Sequence, residues 1–141
     1  MNPRDFQALA VRLAQGPTAE IRTSIGRSCY AAFNAGAEIL RSLGFRVGRG
    51  AAAHGEVMHC FANCGDQAVA TVADNLSLLH TLRNRADYQM DKVDVERRET
   101  ALEAGTRAAL AIQLLDTACT GPQRDALRQS IHSWRKANGY A

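Results

Sequence analysis

Arg83 stands where helical spacing asks for an apolar side chain. Val69, Val72, Leu76 and Leu79 step by three and four residues, the rhythm of a buried helix face, and its continuation reaches 83, then Ala86 and Met90. A permanently charged guanidinium on or beside that stripe needs a carboxylate, a phosphate or a partner subunit, because burying it alone is heavily penalised. Asp87 falls one turn later on the same face, with Asn84 and Tyr88 paired likewise on the adjoining one. The segment Leu82-Arg83-Asn84-Arg85-Ala86-Asp87-Tyr88 thus gathers polar groups suited to gripping an anion. The competing reading is structural: an i,i+4 Arg–Asp pair worth about 0.3 kcal/mol, with Arg83 anchoring a neighbouring helix through Asp87.

Three further groupings carry chemically capable side chains. Arg27, Tyr30, Asn34 and Glu38 are spaced three, four and four, so they share one side of a helix, either lining a groove opposite Arg83 or forming a solvated stripe. His54, His59, Cys60 and Cys64 are the metal-like cluster, but the paired-ligand spacing of structural zinc is missing, and packing and loop roles are expected instead. Arg124, Arg128, His132 and Arg135, with Lys136 adjacent, are expected on the side of a last helix away from Leu127 and Trp134. They suit phosphate contact or simply a wet face. There is no phosphate-cradling glycine motif, no Ser–His–Asp arrangement and no hydrolase-type carboxylate pair. No cofactor and no metal are expected.

The elements that position these residues read as helices. Asn2-Pro3 starts a short one with Phe6, Leu9, Ala10 and Leu13 on its apolar side, ended by Gly16-Pro17. A long helix follows from about 18 to 43, with Gly44 as its stop, and its small residues at 31, 32, 35, 36 and 37 admit close approach of another helix, from this chain or a second copy. Residues 45–53 read as a mobile basic loop. Helices are expected over about 54–63, 66–90 (the motif helix), 95–119 and 123–137, with Gly121-Pro122 breaking the last two apart. No repeat or long linker divides the chain, so residues 1–141 read as one domain.

Composition agrees. Apolar content of 46% and charged content of 22% are ordinary for a globular chain, and the abundance of Ala, Leu and Arg with few β-branched runs favours an all-α fold of about five to six helices. The net charge of +3 permits nucleic-acid binding without demanding it. No secretory leader is read at Met1-Asn2-Pro3-Arg4-Asp5, and no apolar stretch is long enough for a membrane. The four cysteines then read as free thiols of a cytoplasmic protein.

Three segments together resemble the HEPN superfamily (higher eukaryotes and prokaryotes nucleotide-binding), in particular its small stand-alone prokaryotic members. Arg27-Ser28-Cys29-Tyr30-Ala31-Ala32-Phe33-Asn34-Ala35 is similar to the family's Tyr-Ala-x-Phe-His-Ala helix. Ala53-His54-Gly55-Glu56-Val57-Met58 looks like its short-helix start after a basic loop. Leu82-Arg83-Asn84-Arg85-Ala86-Asp87-Tyr88 matches its Leu-Arg-x-x-Ala-Asp-Tyr signature. The resemblance covers roughly residues 18 to 119, leaving 122–138 as an extra C-terminal helix. It implies an up-and-down helical bundle that often dimerises, with paired motif helices lining a shared cleft. It also implies RNA or nucleotide binding, metal-independent endoribonuclease activity, and a toxin–antitoxin or phage-defence setting with a nucleotidyltransferase-type antitoxin. On these positions Arg83, Asp87 and Tyr88 would be catalytic, and Arg27, Tyr30, Asn34, His54, Asn84 and Arg85 would bind the RNA or nucleotide.

The chain departs from the family's signature of Arg, four to six residues, then His. Tyr88 holds the fifth position after Arg83, no His is expected within reach in that helix, and Asn34 stands where relatives commonly have His. A Tyr, with a pKa ordinarily near about 10, is a poor base at neutrality, although Arg83 can still stabilise a phosphate. The alternative reading is a non-catalytic helical dimer that docks a partner protein.

Overall fold

The computed structural model describes residues 1–140. It is an all-α bundle: α1 (Arg4–Leu13), α2 (Thr18–Ser42), α3 (Ala52–Ala62), α4 (Gln67–Tyr88), a 3-10 turn (Asp94–Glu96), α5 (Arg98–Thr120) and α6 (Arg124–Ala137). The boundaries follow local chemistry. The Asn2 side chain accepts from the Arg4 N–H at 3.0 Å at the head of α1. Asp66 caps α4 by accepting from Val69 N–H at 3.1 Å. Gly44 ends α2 at φ 95°, a left-handed backbone that favours glycine.

α2 runs through the middle, packed against α1, α4 and α5, while α3 lies on α4 and α6 closes over α3 and α5. Ile25, Cys29 and Leu40 of α2 meet Val57 and Phe61 of α3, Val72 and Leu79 of α4, Leu115 of α5 and Ile131 of α6 in one core. The small residues of α2 are spent inside the chain. Ala31 and Ala35 pack with Ile112 and Phe6, and a Cβ on Gly36 would come within 3.1 Å of both Phe61 and Val57. They therefore offer no surface to a second copy.

Four local expectations are corrected. Residues 95–97 lie outside the helix: Val95 is a buried plug in a 3-10 turn, which carries Glu96 back to Arg22 of α2. Met90 does not continue the buried stripe; α4 has already ended and Met90 is 64% exposed. The 45–53 segment is tied down rather than loose at its ends, with Phe45 buried, the Arg46 carbonyl accepting from Arg135, and Gly48 N–H donating to Glu56. The basic stripe of α6 is divided: Arg128, His132 and Lys136 are exposed but Arg135 is buried, and the stripe's three guanidinium groups are turned to acceptors of the chain itself. Arg124 donates to the carbonyls of Cys119 and Ser42, Arg128 to that of Leu43, and Arg135 is buried against Glu56 at 2.7 Å. Arg124 and Arg128 answer carbonyls at the ends of α2 and α5.

Candidate functional site

α2 and α4 meet side by side near Gly26, where the missing side chain leaves room for Asp87: a Cβ there would lie 3.5 Å from Asp87 Oδ1. Asp87 in turn accepts from Arg83 Nε at 3.3 Å, one helical turn back. The guanidinium of Arg83 rests on the Tyr30 ring at 4.8 Å and lies 5.9 Å from the Tyr88 ring, with a long 3.5 Å contact from Nη2 to the Tyr88 hydroxyl. Nη1 makes no hydrogen bond among the described residues. Arg83 is thus held by one ion pair and by aromatic faces, an arrangement that fixes its plane and leaves donors facing outward.

Outward is a groove of about 520 Å³ lined by Tyr30, Phe33, Gly50, Ala51, His54, His80, Arg83, Asn84 and Tyr88. His54 stacks on Phe33 with ring centroids 4.0 Å apart and an interplanar angle of 12°, and His80 lies 4.6 Å from His54. Burial, and then the nearby His80 and Arg83, push the His54 pKa down to about 4, so its ring is neutral at ordinary pH. Burial likewise drives the Cys29 thiol up to about 12, against the lowering effect of Arg83. A smaller cavity of about 210 Å³ adjoins, sharing Ala51, His54 and His80 with the groove and adding Met58, Leu76 and Ser77.

The residues singled out from the sequence divide cleanly. Tyr30, His54, Arg83, Asn84 and Tyr88 line the groove, and Asp87 supports it from behind. Arg27 does not line the groove but sits against one of its walls, its guanidinium 4.7 Å from the Tyr30 ring and 5.4 Å from that of Phe6. Asn34 turns its amide onto the Tyr30 carbonyl at 2.8 Å and, with Glu38, lines a different depression beside Met1 and Phe6. Arg85 faces away and pairs with Asp94 at 3.1 Å. The metal-like quartet His54, His59, Cys60 and Cys64 does not converge. His59 lies beside Trp134, Cys60 Sγ meets Arg135, and Cys64 Sγ meets the Asp66 carbonyl, while His54 belongs to the groove.

His80 is the groove residue that sequence reading passed over, and it corrects the expectation of no histidine within reach in the motif helix. It precedes Arg83 by three residues, so the same-face spacing that linked Arg83 to Asp87 was available to find it. Comparisons with known protein families, curated proteins and solved structures return no match.

Proposed function

We propose that the Arg83 groove binds the phosphate of an RNA strand or nucleotide, as the HEPN resemblance implies, with Arg83 as the phosphate anchor. The observation that carries this reading is the guanidinium's setting. It has one carboxylate at 3.3 Å, an aromatic bed, and an Nη1 without a partner among the described residues, at the wall of a groove. A planar fork with outward donors suits phosphate oxygens, and Tyr30, Phe33 and Tyr88 offer rings on which an unpaired base can stack. Asn84 supplies an amide at the same wall.

Endoribonuclease activity extends this reading. Cleavage needs groups that move a proton from the 2′-hydroxyl and to the leaving oxygen, and His54 and His80 are the imidazoles at the groove, in place of the histidine missing after Arg83. A homodimer of the family type would extend the groove across two chains. Tyr88, Met90 and Val93, 70%, 64% and 63% exposed, supply apolar surface where α4 ends. A toxin or defence role with a nucleotidyltransferase-type antitoxin belongs to the same proposal. No helix is long and apolar enough to cross a membrane among the described residues.

The test is fluorescence anisotropy of a labelled single-stranded RNA with the full chain, repeated with Arg83→Ala and with Arg27→Ala, which lies outside the groove. The reading expects saturable, salt-sensitive binding that Arg83→Ala weakens by about tenfold or more, the value of one charge-assisted phosphate contact, and that Arg27→Ala leaves largely intact. Binding indifferent to Arg83, or binding of a protein partner through the 88–93 surface without RNA affinity, would sink it in favour of an interaction module.

A further inference from the structure

We propose that Cys29, His54 and His80 form a three-ligand site for a thiophilic divalent cation, zinc, with the fourth coordination position open to the Arg83 groove. Three helices each contribute one ligand, from α2, α3 and α4, and the Cys29 Sγ and one nitrogen of each imidazole all lie within 4.8 Å of one another. The inference stands apart from the reading of Arg83 as phosphate anchor, and it excludes the use of His54 and His80 as proton carriers in RNA cleavage, because their lone pairs would be held by the metal.

Two unpaired nitrogens motivate it. His54 Nε2 and His80 Nδ1 are both buried and have no hydrogen-bond partner among the described residues. Buried polar atoms are ordinarily satisfied, and here two orphans occur on adjacent rings beside a fully buried free thiol. An electron-pair acceptor placed among them would engage all three side chains at once. The donor set selects the ion. One thiolate and two imidazoles, without a carboxylate in the cluster, suit zinc rather than magnesium or calcium. Zinc–sulfur and zinc–nitrogen bonds of about 2.3 and 2.0 Å bring tetrahedral donors to roughly 3.5 Å apart, so the ligands must close by about 1 Å. His54 and His80, partly exposed at the rim of the groove, have room to do so. That same opening gives the ion its entry path and leaves a fourth position for water or for a ligand's oxygen. Coordination replaces the thiol proton, which leaves to solvent.

The experiment is zinc titration of the full chain, stripped with chelator, against a chromophoric competitor, with Co²⁺ as the optical probe. The expected result is one zinc per chain and a cobalt spectrum with tetrahedral visible bands and a thiolate-to-cobalt charge-transfer band. Cys29→Ser should remove that charge-transfer band. His54→Gln and His80→Gln should each weaken zinc binding by at least the roughly 100-fold that even an outer-shell loss can cost. His59→Gln, altered beside Trp134, should bind zinc as the wild type does. If Cys29→Ser fails to fold by circular dichroism, the wild-type cobalt spectrum and the two histidine variants decide. Absence of stoichiometric zinc, a cobalt spectrum without thiolate ligation, or unchanged affinity in both His54→Gln and His80→Gln would overturn the assignment.

Discussion

Arg22 and Arg83 face each other's helices across the same α2–α4 contact, yet they are treated oppositely. Arg22 is 7% exposed and donates to the carbonyls of Arg85, Ala86, Gln89, Met90 and Lys92, at 2.8 to 3.2 Å, while Glu96 neutralises it at 3.1 Å. It closes the end of α4, satisfying carbonyls that a helix terminus leaves open, and so fixes where Asp87 and Tyr88 stand. Arg83, one turn before that end, has a single ion pair at 3.3 Å, a long 3.5 Å contact to the Tyr88 hydroxyl, and otherwise aromatic rings around it. One arginine has its donors consumed by the chain's own backbone; the other keeps donors for something else. The contrast separates a scaffold charge from a binding charge by partner count and by what those partners are.

The contrast can be broken by substitution. The largest effect belongs to Arg22→Ala, which leaves Glu96 without its ion pair and takes a donor from five carbonyls, of which those of Arg85 and Gln89 keep a backbone N–H. Urea denaturation should show a loss of about 3–5 kcal/mol. Arg22→Lys should recover little of it, because one ammonium cannot span the fork's targets. A variant as stable as the wild type would remove Arg22 from the scaffold.

Arg128→Ala comes next. Its Nε donates to the Leu43 carbonyl at 3.0 Å, so its loss should cost about 1–2 kcal/mol in the same assay while RNA affinity stays unchanged. A fall in RNA affinity with stability intact would return the α6 arginines to the phosphate-contacting role their spacing suggests.

The sequence carries one signal in common for Arg22, Arg83 and Arg135: each is a charge in an apolar helical register. Arg22 aligns with Ile25 and Cys29, Arg83 with Leu79 and Ala86, and Arg135 with Ile131. Only Arg83 was singled out on that ground, and the register alone does not distinguish them. What distinguishes them is tertiary: Glu96 arrives on a 3-10 turn and Glu56 on α3, neither foreseeable from local spacing. The helices themselves were legible because their ends carry short-range chemistry at Asn2-Pro3, Gly44, Asp66 and Gly121-Pro122. Residues 95–97 misled for the complementary reason, since Val95 is apolar and in register with a helix but is drawn into the core as a plug. Of the site, the motif helix was readable. The gathering of Cys29, His54 and His80 from three helices was not, because it exists only once α2, α3 and α4 pack.

Two smaller effects sharpen the comparison. Gly26→Ala should stabilise the chain by about 0.5–1 kcal/mol, since the position is inside α2 and the added methyl meets Asp87 at an ordinary 3.5 Å. Thermal melting that shows destabilisation instead would mean the Asp87–Arg83 pair is packed more tightly than this geometry shows. Tyr88→Phe is the least disruptive change. With the residue 70% exposed and its hydroxyl 3.5 Å from Arg83, stability should move by less than about 0.5 kcal/mol. An unchanged RNA affinity would leave Tyr88 as a stacking surface, whereas a large loss would give its hydroxyl a direct role.

The most direct test of Arg83 as a binding charge is a paired measurement on Arg83→Lys: the urea midpoint and the dissociation constant for single-stranded RNA, at one fixed salt concentration. The substitution keeps the charge and removes the planar fork. The account expects stability within about 1 kcal/mol of wild type, as for a partly exposed i,i+4 pair with a cation–π contact, together with RNA affinity reduced about tenfold. Stability reduced by several kcal/mol with RNA affinity unchanged in the folded fraction would contradict it, and would make Arg83 a second Arg22.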